Sequence, residues 1–249
     1  MIDFGYPWWL EYGHLPFLAA AAGVLLLGYW RKWPKWPMLL LGVFALWAGA
    51  AFLVARFGLN VNGRASLPTQ RFLRSGTGRV VDLGAGTGRS TIMVLEARPL
   101  TTVVALDLFG ESFEQHFGPS QTPQEKLLAN LKAAGVESRA TIQTGDMRKL
   151  PFENGTFDAA VSAYAIDHLS REGSKQALAE AARVVKPGGD FLLMVVGKEP
   201  WIHFAFGPLL AHMGASSADY WPTGLQEAGF QVVEQGTRPG TFYVLARRL

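Results

Sequence analysis

Val80-Val81-Asp82-Leu83-Gly84-Ala85-Gly86-Thr87-Gly88-Arg89-Ser90 decides the fold. A short β-branched run, Arg79–Leu83, ends at Gly84, and helical spacing begins at Ser90. Three alternating glycines in a strand-to-helix turn allow backbone conformations closed to other residues, and let a ligand approach the main chain. The spacing is G-x-G-x-G, not the G-x-G-x-x-G of a pyrophosphate binder. Asp82 stands two residues before the first glycine. A carboxylate there suits a ligand that carries a cation and repels a diphosphate.

Outward from this turn, strands alternate with helices. Strands are expected at Thr101–Leu106, Arg139–Thr144, Phe157–Ala163 and Asp190–Val196, and helices at Ser90–Ala97, Pro123–Ala134 and Ser174–Val185. Gly135 stops one helix and Pro187-Gly188-Gly189 follows another. A short helix through Gly224–Ala228 ends at Gly229. Strict alternation implies a parallel sheet with helices on both faces. The last strands, Gln231–Gln235 and Thr241–Arg247, are joined by Thr237-Arg238-Pro239-Gly240 with no helix between them, so they must be antiparallel. Asp107 ends the second strand, where a carboxylate can accept hydrogen bonds from two ribose hydroxyls. Asp146 and Met147 follow the third strand, offering an acid and an apolar surface to an adenine.

These motifs stand in a known order: Asp-x-Gly-x-Gly-x-Gly, the acid at Asp107, Gly145-Asp146-Met147-Arg148-Lys149-Leu150-Pro151-Phe152, Phe157-Asp158-Ala159-Ala160-Val161, and Ala182-Arg183-Val184-Val185-Lys186-Pro187-Gly188-Gly189. Together they resemble the class I S-adenosylmethionine-dependent methyltransferases, in the branch of the ubiquinone/menaquinone and small-molecule enzymes. The resemblance covers about residues 71–249. It implies a Rossmann-like, doubly wound seven-stranded sheet with an antiparallel C-terminal pair, and S-adenosylmethionine as cofactor. It places Asp82, Gly84, Ala85, Gly86 and Gly88 at the methionyl part, Asp107 and Leu108 at the ribose, and Asp146 and Met147 at the adenine. Ala163 and the segment to His168 would face the sulfonium and the acceptor. The link from Leu108 to Thr122, with Phe109, Phe113, His116 and Phe117, is longer than in the family and is expected to form a lid.

Methyl transfer from a sulfonium is an in-line displacement, so the protein mainly aligns the acceptor and excludes water. A proton-bearing acceptor also needs a base. His168, just past the fourth strand, is the candidate, with Tyr164 as aromatic partner; the alternative is that His168 only packs or caps the next helix. His203 and His212 lack an accompanying acid pattern, and no metal site is expected.

The chain's 249 residues carry 23 Lys+Arg, 20 Asp+Glu and no Cys. Disulfides, thiolate metal sites and a cysteine nucleophile are excluded. Residues 63–249 hold 19 bases against 18 acids, which lacks the basic footprint of a nucleic-acid binder. The first 62 residues differ. Six of the eight Trp lie in the first 47 positions, and Leu15–Trp30 and Met38–Ala55 are uncharged runs of 16 and 18 residues. As helices they would extend about 24 and 27 Å, against a bilayer core of about 30 Å. Trp8, Trp9, Tyr12, Tyr29, Trp30, Trp33 and Trp36 flank the runs as interfacial anchors do. Asp3 and Glu11 give the wrong charge for a signal peptide. The expectation is therefore a hairpin of two transmembrane helices (about 15–30 and 38–57) over residues 1–62, and a methyltransferase domain over 63–249. A re-entrant or interfacial hairpin and a buried soluble hairpin are the alternatives.

The sequence thus points to a multi-pass membrane enzyme with its catalytic domain on the cytoplasmic side, where the cofactor is made. Its expected partners are the lipid bilayer and a small hydrophobic or lipid substrate: a lipid amine such as phosphatidylethanolamine, or a quinone or isoprenoid phenol. The rivals are a cofactor-binding scaffold without catalysis, and an enzyme of a diffusible hydrophobic acceptor.

Overall fold

The computed structural model describes residues 2–110, 122–197, 199–207 and 219–249. Seven strands form one sheet: β1 Thr77–Leu83, β2 Leu100–Asp107, β3 Ala140–Thr144, β4 Phe157–Ala163, β5 Val185–Val196, β6 Phe230–Arg238 and β7 Thr241–Arg248. Their order is β3-β2-β1-β4-β5-β7-β6. β1 pairs in parallel with both β2 and β4, and β7 runs antiparallel to β5 and β6. The chain reverses its winding between β1 and β4, so the crevice beyond their carboxyl ends is where such a sheet places a ligand.

The helices around it are α4 Arg89–Ala97, α5 Pro123–Ala134, α6 Arg171–Val184, α7 Pro200–Phe206 and α8 Tyr220–Glu227. Helix α5 shows how local sequence sets its own bounds. Thr122 accepts from the Glu125 N–H while Glu125 bonds back to the Thr122 N–H, and Gly135 closes the far end at φ +68°. Period-two alternation in β1 divides the core. Val81 and Leu83 face α6 and α8 through Ala177, Leu178, Trp221 and Leu225. Val80 faces the opposite layer, with Ile92, Met93, Leu95, Leu127 and Leu131.

The N-terminal region departs from expectation. Helix α1 Trp9–Tyr12 leads to α2 His14–Trp30, and α3 Lys35–Leu53 continues as a π-helical stretch, Val54–Leu59. Among the described residues one helix, Lys35–Leu59, is long and apolar enough to cross a membrane; its best window has mean hydropathy 2.3 and is 17% buried. The pairing of two spans is corrected here: α2 has 17 residues, about 26 Å at roughly 1.5 Å per residue. The first 62 residues also pack against the rest of the chain. Phe4 is fully buried in the α4–α5 core layer. His14 Nε2 donates to the Ala205 carbonyl at 2.8 Å and Trp47 Nε1 to the Phe204 carbonyl at 2.9 Å, which seats the hairpin on α7.

The first residues are fixed by Asn130. Its Oδ1 accepts from the Asp3 N–H at 2.9 Å, and its Nδ2 donates to the Asp3 and Thr87 carbonyls, both at 2.9 Å. Thr87 Oγ1 in turn donates to the Phe4 carbonyl. Asn130→Ala leaves three backbone groups without their partner, one of them in a buried bond, so stability should fall by about 1–3 kcal/mol. Thermal melting checks this, and proteolysis should cut the first residues faster; an unchanged melting temperature would show the tether to be idle.

Candidate active site

The glycine turn begins at β1. Its residues Gly84, Gly86 and Gly88 hold φ of +81°, +53° and +93°, which L side chains rarely adopt. Space forbids a side chain as well. A Cβ on Gly84 would lie 2.2 Å from the Ala165 Cβ and 3.0 Å from the Met147 Cε, and one on Gly88 would lie 2.5 Å from Leu127. The Gly84 and Ala85 N–H groups both donate to the Leu106 carbonyl, at 2.9 and 3.0 Å. The turn is therefore tied to the end of β2, and the 163–168 segment closes against it.

Asp107 does the same work from beside the turn. Its Oδ2 accepts from the Gly86 N–H and its Oδ1 from the Phe109 N–H, both at 2.9 Å. Each carboxylate oxygen has a further lone pair, so acceptor capacity for sugar hydroxyls remains. Leu108 is 52% exposed beside it, and Phe109 packs partly into the core at φ +49°. Met147 lies at the glycine turn, as the Gly84 geometry shows. The lid residues Phe113, His116 and Phe117 lie outside the described residues, as does His212.

Three of the residues named from the sequence have protein partners of their own. Asp82 lies fully buried under the turn. It is on the Val80 face of β1, and its Oδ2 accepts from Ser90 Oγ at 2.7 Å and Thr91 Oγ1 at 2.6 Å. It anchors the start of α4 through that oxygen, while its Oδ1 is buried without a hydrogen-bond partner. Burial pushes its carboxyl up to about 6, against the two hydroxyl bonds, which lower it. Ala85 turns its side chain into the core, leaving only its backbone for a ligand. Asp146 is taken by Arg148, which binds it with Nε at 3.0 Å and Nη2 at 2.7 Å. The same guanidinium holds that carboxyl below its ordinary range.

At the carboxyl end of β4, Ala163 is half-buried and Tyr164 adopts φ +55°. The Tyr164 hydroxyl bonds Thr241 Oγ1. His168 is exposed, whereas its neighbour Asp167 is the more buried. Asp167 Oδ2 accepts from the Val196 N–H at 3.4 Å, and its Oδ1 is buried without a hydrogen-bond partner. Burial raises the Asp167 carboxyl, opposed by the charge of His168. Two further residues join this place. The charges of Arg89 and Asp167 act on the phenols of both Tyr164 and Tyr6, and burial raises both phenols. Arg89 is pinned by the carbonyls of Gly63 and Asn60. Its position after the last glycine was a signal; nothing in the spacing linked Tyr6 to Tyr164.

Two outcomes test this geometry. Gly84→Ala adds strain and a backbone-borne clash, and should cost about 1–3 kcal/mol or more together with any ligand affinity of the turn. For Asp82 the folded carboxyl titrates above the unfolded one, so its protonated form favours folding. That contribution is present below 3.8 and is lost as pH rises to about 6. The stability of the wild type relative to Asp82→Asn should fall across this window in melts from about pH 4 to about pH 7. A flat difference would contradict a buried ionising Asp82.

Comparison with known proteins fits this architecture. Residues 80–189 match a family model described as a methyltransferase domain. A ubiquinone/menaquinone biosynthesis C-methyltransferase of Syntrophotalea carbinolica is 30% identical over 138 residues, 55% of this chain and 52% of that protein. A demethylmenaquinone methyltransferase of Deinococcus radiodurans is 30% identical over 116 residues, 47% of this chain and 42% of that protein. The aligned region spans about half the length of these curated relatives. Among solved structures, an O-methyltransferase family protein from Burkholderia thailandensis superposes with TM-score 0.59 at 17% identity, over 83% of this chain and 60% of that one. Residues 80–189 thus resemble a methyltransferase domain, and the chain shares the fold of an O-methyltransferase family protein.

Proposed function

We propose that the protein transfers a methyl group from S-adenosylmethionine to an apolar, membrane-derived acceptor of the quinone type in its hydroxyl-bearing, reduced form. The observation that carries the cofactor assignment is the glycine turn gripped by Asp107. Its glycines hold left-handed φ in a tight strand-to-helix turn, and an acid with lone pairs to spare stands at the end of β2. That donor set fits a sulfonium nucleoside: backbone for the amino-acid part, Asp107 for the ribose, Leu108 and Met147 as apolar walls for the base. When bound, S-adenosylmethionine supplies an electrophilic methyl group and its own leaving group. The chain's residues hold the turn rigid, shield it through Phe4 and Phe109, and present the 163–168 segment to the acceptor. The C-methylating relatives favour a quinone-type ring over a lipid amine.

The hairpin supports a membrane source for that acceptor. Ala21, Gly28, Ala48 and Ala51 are buried in it, while Leu26, Tyr29, Trp30, Trp36 and Leu46 are more than 60% exposed. Small residues inside and large apolar ones outside is the pattern of helices in lipid. Of the 24 exposed large apolar side chains among the described residues, 19 lie between residues 8 and 57. Such a surface exceeds what soluble proteins leave open. At the elbow Tyr29, Trp33 and Trp36 stand with Lys32 and Lys35 around an open groove of about 750 Å³, a fit for the headgroup layer. With α3 long and α2 short, the hairpin enters the bilayer with α2 shallower.

Calorimetry with S-adenosylmethionine should give binding to wild type and a loss of tenfold or more in Asp107→Ala. Absence of binding to wild type would leave a fold without its cofactor and favour the scaffold reading. Separately, the chain should stay with membranes through high-salt and carbonate washes and leave with detergent. Release by carbonate would mean that protein, not lipid, covers the hairpin.

A further inference from the structure

We propose that Asp167 is the catalytic base that takes the acceptor's hydroxyl proton, with Tyr6, Tyr164 and Arg89 forming the pocket around it. This rests on the methyltransferase reading above and adds the residue that activates the acceptor. Four observations carry it. Ala165 touches the glycine turn, since a Cβ on Gly84 would collide with it, and Asp167 stands two residues further along the same short 3₁₀ turn. Asp167 holds itself in position with one oxygen, bonded to the Val196 N–H, and keeps the other buried without a partner. A buried carboxylate oxygen with no donor is costly unless something supplies one, and an acceptor hydroxyl is such a donor. Finally, the charges of Asp167 and Arg89 both act on the phenols of Tyr6 and Tyr164, which joins Asp167 to groups from the N-terminal segment and from α4. His168, by contrast, is exposed.

The charged and titratable groups facing this place are Arg89 from α4, Tyr6 from the N-terminal segment, Tyr164 after β4, and His168 beside Asp167. Burial raises the Asp167 carboxyl, which brings its proton affinity nearer that of a phenol and makes it a better base than a surface carboxylate. In the step, the acceptor's O–H bond breaks and its proton forms a new O–H bond on Asp167 Oδ1. The electron pair left on the phenolate, shared between oxygen and the ortho ring carbon, forms the new bond to the methyl carbon. The carbon–sulfur bond breaks and its pair stays on sulfur as a neutral thioether. Where the ring carbon attacks, the hydrogen it carried leaves as a second proton to water. Asp167 then returns its proton to the ring oxygen where carbon was methylated, and to solvent where oxygen was, so that one proton is released overall.

The test uses the full-length protein in detergent with a short-chain prenylated naphthohydroquinone as probe, kept reduced. Wild type, Asp167→Asn, Asp167→Glu and His168→Ala are compared by methyl transfer from radiolabelled cofactor, by S-adenosylmethionine calorimetry and by the pH profile of kcat. Expected is a loss of about 10²–10⁴-fold in kcat for Asp167→Asn with cofactor affinity within threefold. The wild-type profile should lose activity on the acid side through a pKa above the ordinary carboxylate range, and Asp167→Asn should lack that limb. Asp167→Glu should restore part of the rate, and serves as the informative variant if Asp167→Asn does not fold. The proposal is overturned if Asp167→Asn stays within threefold of wild type, if His168→Ala matches its loss, or if wild type binds cofactor yet methylates no hydroquinone. Failure of wild type to bind cofactor at all would instead strike the methyltransferase reading, and this one with it.

Discussion

The backbone turn from Gly84 to Gly88 is held from two sides by carboxylates with different tasks, and the remaining architecture is arranged around that grip. From below, Asp82 draws in the hydroxyls of Ser90 and Thr91 and fixes where α4 starts. From beside, Asp107 takes the N–H groups of Gly86 and Phe109 and fixes the turn relative to β2. Neither bond alone exceeds about 1.5–3 kcal/mol. Their value lies in geometry: a turn built of residues with left-handed φ has many other conformations open to it when unfolded, and these bonds select one. Packing completes the selection, because Ala165, Met147 and Leu127 leave no room for a side chain on Gly84 or Gly88.

The N-terminal region packs on the same centre while exposing a large apolar surface. Its hairpin inverts the soluble rule by burying alanine and glycine and exposing leucine and tryptophan. Yet the same region sends Phe4 into the domain core and Tyr6 to the acceptor end of the sheet. The link is carried by polar bonds. Asn130 ties residue 3 to the glycine turn, Asn62 exchanges bonds with Tyr6, and Glu11 receives the Asn62 N–H. Helix α7 meets the hairpin through the His14 and Trp47 bonds to its carbonyls. The apolar hairpin and the residues past β4 therefore share one connected set of contacts.

Much of the fold was legible. Period-two runs and glycine punctuation located all seven strands, because a strand buried on both faces must be apolar and must end where the chain turns. Pro123–Ala134 was readable to the residue, since Thr122, Glu125 and Gly135 are local capping signals. Less was legible at the site. The sequence named Asp146, but not that Arg148, two residues on, binds it. It named Asp82, but not that Ser90 and Thr91 hold one of its oxygens under α4. It named His168, which is exposed, and gave no sign that Asp167 beside it is the more buried. The second membrane span read from apolar composition, and length decided against it.

The sequence by itself determined the order of strands and helices, the place of the glycine turn and the acid at Asp107. These depend on neighbours a few residues apart, where spacing translates directly into geometry. It also marked the first sixty residues as apolar beyond the needs of a core. Tertiary structure alone decided which carboxylates are satisfied and which are left wanting, and it brought Tyr6, Arg89, Tyr164 and Asp167 together. Such meetings join residues up to about 160 positions apart across a closed sheet, and a buried group's chemistry depends on what surrounds it. No local pattern encodes those surroundings, because they exist only once the chain has folded.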